Sequence, residues 1–198
     1  AAALSDTARI VVDQSKILRT TGETFIVYGY VSRAGDPVRV TLAWTDAPGS
    51  TVGDAYVNDL DLTVAVSGTT YRGNVFDGAY AATGGLYDRA NNVESVFIAP
   101  GVRGPLTITV DAYNLAGDGV PDDGDPTDQD FALVCTNCQV RPAFDLTVHP
   151  PQLERCISQT ATYTVTPQAR NGFSGSITLQ VTGHPTGSSA AFDPNPVP

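Results

Sequence analysis

Three observations predict an all-β fold. Short runs of Val, Thr, Ile and Tyr alternate apolar with polar residues at the two-residue period of a strand. Nineteen glycines and fourteen prolines separate those runs, supplying the turn chemistry that ends strands and breaks helices. Stretches in which apolar residues recur at helical spacing are hard to find anywhere in the 198 residues. That length suffices for one domain with a sizeable core plus part or all of a second.

Charge narrows the partners. Eleven basic and twenty-one acidic side chains leave a net charge of −10, which disfavours nucleic acid and anionic membrane and favours cations or simple solubility. No run of about 18 apolar residues is present to span a bilayer. The first residues lack a basic stretch followed by an apolar block, so any export signal is expected to have been removed or never included. A soluble chain is expected.

In chain order, residues 1–6 are small and polar, as in a linker, and residues 8–13 and 23–32 alternate at the strand period. Residues 33–37, with Gly35 and Asp36, form a turn into a run that places Val38, Val40, Leu42 and Trp44 on one buried face. A loop follows whose Gly and Pro residues turn the backbone, and Asp46, Asp54, Asp59 and Asp61 crowd its ends. Carboxylates packed this closely either stay hydrated or are neutralised by Arg, Lys or a hard cation such as calcium. Only Arg39 lies near in sequence.

Residues 60–66 and 70–73 are the next two strands, joined by a turn at Ser67-Gly68, and residues 74–92 are expected to be a long loop. Its end, residues 88–94, gathers the oxygen-bearing side chains of Asp88, Asn91 and Glu94 just before a strand at 95–99. Strands at 106–112 and 131–135 enclose the most acidic segment, with six aspartates between residues 118 and 130. With Asn114 as position 1 of a calcium loop, Asp118 falls at 5, Gly119 at the sharp turn, the Val120 carbonyl at 7, Asp122 at 9 and Asp125 at 12, although Ala116 stands at position 3. The alternative is a hydrated loop that orders weakly without a counter-ion.

Cys135, Cys138 and Cys156 allow one disulfide among three thiols. The spacing of the first two also suits zinc, but His149 and His184 each sit beside a proline in loop-like sequence, so a structural disulfide is expected. A disulfide points outside the cytoplasm, as does the absence of methionine. After a linker at 139–143, residues 144–148, 161–165, 176–181 and 189–192 give four more strand-like runs, where a full β-sandwich has about seven.

Several motifs, in order, carry a resemblance: Leu-Ala-Trp-Thr-Asp-Ala-Pro at 42–48, Val-Asn-Asp-Leu-Asp-Leu at 57–62, Tyr-Arg-Gly-Asn at 71–74, Asp-Arg-Ala-Asn-Asn-Val-Glu at 88–94, Ala-Tyr-Asn at 112–114 and Asp-Phe-Ala-Leu-Val at 130–134. Over residues 7–135 the chain resembles the C-terminal region of secreted subtilisin-like serine proteases, the subtilase family. There a catalytic domain is followed by a jelly-roll β-barrel similar to the P domain of proprotein convertases. Gly172-Phe173, Ile177-Thr-Leu, Gly183-His-Pro-Thr-Gly and the run from Phe192 resemble immunoglobulin-like modules of bacterial secreted hydrolases. The acidic segment resembles the calcium repeats of thrombospondin type 3, and at 117–129 it is longer than the turn expected in the protease jelly roll.

The resemblance implies a jelly-roll β-sandwich at residues 1–138 followed by a truncated immunoglobulin-like β-sandwich at 139–198. It implies a non-catalytic, calcium-binding accessory domain of an extracellular endopeptidase, partnered by the catalytic domain of the same polypeptide. The residues agree in lacking a Ser-His-Asp triad: Ser174 stands in a turn, and neither histidine lies in a Gly-rich motif. One calcium cluster is expected from Asp46, Asp59, Asp61, Asp88, Asn91 and Glu94, joining two loops at one end of the barrel. A second is expected from Asp118, Asp122 and Asp125 with the Val120 carbonyl. The alternatives are a module that binds polysaccharide or a protein surface, with Tyr80 and Tyr87 stacking on sugars, and a plain adhesive spacer.

Overall fold

The computed structural model describes residues 8–52, 56–156, 158–170 and 173–198, which leaves Asp54 and Gly172 outside the described residues. All its regular elements are strands, and the chain divides into two compact units, Ala1–Arg141 and Pro142–Pro198.

The first unit holds β1 (Arg9–Leu18), β2 (Thr24–Val31), β3 (Val38–Ala43), β4 (Asp59–Val66), β5 (Thr69–Asp77), β6 (Tyr80–Thr83), β7 (Val93–Ile98), β8 (Pro105–Asn114), β9 (Gln129–Thr136) and β10 (Cys138–Val140). Four antiparallel pairs organise it: β1 with β9, β2 with β8, β3 with β7 and β4 with β5. The pairs alternate between two sheets, since β9 also pairs β3 and β8 also pairs β4. One sheet therefore runs β1-β9-β3-β7, and the other β10-β2-β8-β4-β5-β6. Four strand pairs of one long hairpin wound around a core give this order, which is the jelly-roll form of the β-sandwich.

Alternation explains the core. On β3 the residues Val38, Val40 and Leu42 are fully buried, on β4 Leu60, Leu62 and Val64, and on β8 Ile108 and Val110. Trp44, one step beyond β3, is buried as its period requires. The Phe25 ring on β2 meets the Phe131 ring on β9 at 5.5 Å, joining the sheets. Each of these side chains leaves water for a packed apolar interior, a gain of about 25 cal/mol per Å² of apolar surface.

Three elements correct the sequence reading. The expected loop 74–92 contains a hairpin: Asp77 pairs with Tyr80 across Gly78-Ala79, and Gly78 (φ 63°) takes the left-handed position such a tight turn demands. β1 continues to Leu18 through an irregularity after Asp13, where Gln14 has φ 45°. The expected linker at 139–143 begins as β10, which pairs β2.

Cys135 and Cys138 form the disulfide, leaving Cys156 as an exposed free thiol. The bond spans the corner at which the chain leaves one sheet for the other. Between the two cysteines, Asn137 (φ 63°) donates to the carbonyls of Arg33 and Asp36 and accepts from the Arg33 N–H, fastening the β2–β3 turn. Replacing both cysteines with alanine is expected to cost about 2 kcal/mol, the loop-closure figure for so short a ring. A lowered denaturation midpoint checks this, and Cys156→Ala leaves the midpoint in place.

The second unit is also β. Its β11 (Ala143–His149) and β12 (Thr164–Arg170) form an antiparallel ladder, Ile177 and Val197 exchange two backbone hydrogen bonds, and the Phe144 and Phe173 rings meet at 5.0 Å. The run expected at 161–165 lies further along as β12, and those at 176–181 and 189–192 form no strand. The physical reason is burial. Within this segment Ile177 is buried, whereas Val181 is exposed, and Gly183 and Gly187 turn the backbone through positive φ. An alternating pattern needs a sheet to face.

Candidate functional site

The first expected cluster divides into four parts. Asp59 and Asp61, at the start of β4, are buried beneath Arg89, whose Nη1 lies 3.1 Å from Asp59 Oδ2 and 2.5 Å from Asp61 Oδ1. The guanidinium also sits 3.4 Å from the centre of the Tyr113 ring and 5.2 Å from that of Tyr87. Burial pushes both carboxyls above their ordinary value, although Arg89 pulls the other way. The counter-ion is thus an arginine 28 and 30 residues from its partners, where sequence neighbours offered only Arg39.

Asp88 and Asn91 form a local turn. Asp88 Oδ2 accepts from the side-chain amides of Asn74 and Asn91, each at 2.7 Å, and Oδ1 accepts from the Ala90 N–H at 3.0 Å. Burial raises this carboxyl, but the donors outweigh it and hold it below the ordinary value. Asp46 does separate work, accepting from the Val57 N–H at 2.7 Å and the Asn58 N–H at 2.8 Å, which closes the loop onto β4.

Glu94 lies apart on β7, fully buried. Its Oε2 accepts from the Leu62 N–H at 2.6 Å, and Oε1 has no hydrogen-bond partner. Gly73 on β5 makes the room, because a Cβ there would fall 2.1 Å from Oε2. Burial pushes the Glu94 carboxyl up to about 8; the Leu62 bond opposes the shift, and the charges of Asp61, Asp88 and Asp59 add to it.

The second expected cluster is gathered differently from its predicted frame. Between β8 and β9, Asp128 is fully buried: Oδ1 accepts from the Val120 N–H at 3.0 Å, whereas Oδ2 takes no hydrogen bond. Asp118 Oδ1 is likewise buried without a partner. Arg19, just past β1, reaches this loop with Nη1 at 3.0 Å from Asp123 Oδ2, 3.2 Å from Asp125 Oδ2 and 3.7 Å from Asp128 Oδ2. Of the expected ligands, Asp125 lies against Arg19 and Asp118 presents an unpartnered oxygen. Beside them stand Asp123, at position 10 of the twelve-residue frame and not among its expected ligands, and Asp128, beyond the frame. Val120 contributes its N–H to Asp128, and Asp122 takes the left-handed turn position (φ 73°). Burial, then the charges of Asp123, Asp118 and Asp125, raise the Asp128 carboxyl against the Val120 hydrogen bond.

Asn58, which the sequence reading passed over, positions this loop. It is 1% exposed. Its Nδ2 donates to the carbonyls of Gly117 and Asp128 at 3.0 Å and to Gln129 Oε1 at 2.9 Å, and its Oδ1 accepts from the N–H groups of Ala116 and Gly117 at 2.8 and 3.0 Å. Gly119 is pressed against the same wall, where a Cβ would lie 2.4 Å from Gln129 Oε1.

Among the described residues, no three Asp, Glu, His or Cys side chains converge as metal ligands. Asp59 and Asp61 are drawn onto Arg89, and Asp123 and Asp125 onto Arg19. Of the tyrosines expected to stack on sugars, Tyr87 carries Arg72 at 4.5 Å and Arg89 at 5.2 Å from its ring centre, and Tyr80 is partly exposed on β6. His184 Nδ1 lies 3.0 Å from Ser188 Oγ, a hydroxyl already donated to the Pro185 carbonyl within an exposed turn. Searched against family models the chain matches none, and it matches none of the curated proteins.

Proposed function

We propose that this chain is a non-catalytic, calcium-binding accessory domain of an extracellular subtilisin-like serine endopeptidase, supporting the folding and stability of the catalytic domain of the same polypeptide. The ordered motifs of its first unit and the jelly-roll order of its strands support the family reading. The observation that carries the calcium reading is the pair of buried carboxylate oxygens without donors, Asp128 Oδ2 and Asp118 Oδ1. A buried, unpaired anionic oxygen is costly, and a hard cation with oxygen ligands removes that cost.

The residues that would hold the ion are Asp118, Asp123, Asp125 and Asp128, whose side chains do not converge as ligands here and would have to draw together around it. They lie in a loop already closed by the hydrogen bond from the Gly119 N–H to the Asp128 carbonyl at 2.9 Å. Calcium supplies positive charge there and no chemistry on a substrate. The chain's part is to present the oxygens: Asn58 anchors the loop backbone, and the Val120 N–H orients Asp128. An ion bound only by the folded state stabilises it by about 2.7 kcal/mol at a hundredfold excess over its dissociation constant.

A thermal melt after exhaustive chelation, repeated in millimolar calcium and in millimolar magnesium, tests the proposal. The expected result is a midpoint several degrees higher with calcium than with either control. Identical midpoints in all three solutions would remove the calcium reading.

A further inference from the structure

The aspartate loop already holds a cation, and that cation is part of the chain. One nitrogen, Arg19 Nη1, stands 3.0, 3.2 and 3.7 Å from oxygens of Asp123, Asp125 and Asp128. The first two distances are within hydrogen-bond reach and the third is a charge contact only; all are too long for calcium–oxygen contacts of about 2.3 to 2.6 Å. The guanidinium answers Asp123 and Asp125 directly, and Asp128 Oδ2 and Asp118 Oδ1 still lack donors. The compensation is partial.

The arginine and the loop come from different parts of the chain. The loop is closed by its own bonds and by Asn58, independently of Arg19. Arg19 instead belongs to the β1–β2 turn, where its N–H donates to Glu23 Oε2 at 2.7 Å. Its side chain is 48% exposed, so withdrawing it to water gives up only an exposed ion pair, a small loss.

We propose that Arg19 is a tethered counter-ion that occupies the aspartate loop in the absence of calcium and is displaced by the metal. In this role it sets the apparent calcium affinity of the loop. The inference rests on the calcium reading above. A tethered competitor reduces apparent affinity in proportion to the fraction of molecules in which it occupies the site, independently of protein concentration.

Calcium titration by calorimetry of the wild type, Arg19→Met and Arg19→Lys, with melts of each in chelator and in saturating calcium, tests this. Methionine keeps much of the stem and removes the charge. Arg19→Met is expected to bind calcium between about two- and fivefold more tightly, the range matching the loss of a surface ion pair. It should melt below the wild type in chelator but level with it in saturating calcium, with Arg19→Lys in between. Unchanged affinity, or an equal loss of midpoint with and without calcium, overturns the displacement role while leaving the site intact. Absence of calcium binding in all three proteins overturns the calcium reading itself and this inference with it.

Discussion

Asn58→Ala is expected to destabilise the first unit by about 3 to 5 kcal/mol, because it removes three donated and two accepted hydrogen bonds at a buried position. The cost comes mainly from what remains. The Gly117 and Asp128 carbonyls, Gln129 Oε1 and two backbone N–H groups would lose partners in a place water reaches poorly. Chemical denaturation should show a lower midpoint at unchanged slope, because compactness of the end states is not at issue. Asn58→Asp keeps the acceptor for Ala116 and Gly117, yet presents an anion to the Asp128 carbonyl and Gln129 Oε1, and should fare no better. A change below about 1 kcal/mol in either variant would show that the loop is held by other means.

Glu94 should make stability fall as pH rises. Its folded-state value of about 8 stands above the ordinary 4.5, so the folded protein binds this proton more tightly than the unfolded chain. The stabilisation is complete below about 4.5, declines between about 4.5 and about 8, and is gone above. Within that window the slope is on the order of 1 kcal/mol per pH unit for one proton. Asp59 and Asp61 on β4, raised by burial, act in the same direction at lower pH, and Asp88, held low by its donors, acts against them.

Glu94→Gln separates this group from the rest. The amide keeps an oxygen for the Leu62 N–H and stays neutral throughout. The variant should therefore lose the slope between pH 5 and 8 and exceed the wild type in stability at pH 9. A wild-type unfolding free energy that is flat from pH 5 to 9 would remove Glu94 from this role.

The strands that build the core were legible because alternation is a local property. Val38, Val40, Leu42 and Trp44 declare one face within seven residues, and that face is buried. Elements without such a pattern were not. β10 has three residues, and β6 sits in a run of Gly, Ala and Tyr whose only local signal is the Gly78-Ala79 turn.

The acidic clusters were legible as clusters, yet their partners were not. Arg19 meets Asp125 across 106 residues, a distance over which charge spacing carries no information. Asn58 failed to stand out for the same reason. Within Val-Asn-Asp it reads as a turn residue, and its role is created by groups 58 to 71 positions away. Glu94, chosen as an anionic ligand, is instead raised toward its neutral form by a burial that only the position of Gly73 makes possible.

The pairing of β1 with β9 also governs the order of assembly. Arg9 finds its partner in Thr136, so the four-stranded sheet stays open until nearly all of the first unit has been synthesised. Contacts of such long sequence separation place folding on the order of milliseconds to seconds. The β4–β5 hairpin is local and is free to form early, whereas β9 arrives last and takes the place between β1 and β3. A nascent chain that stops short of it leaves two hydrogen-bonding edges facing one gap, open to the equivalent strand of a neighbour.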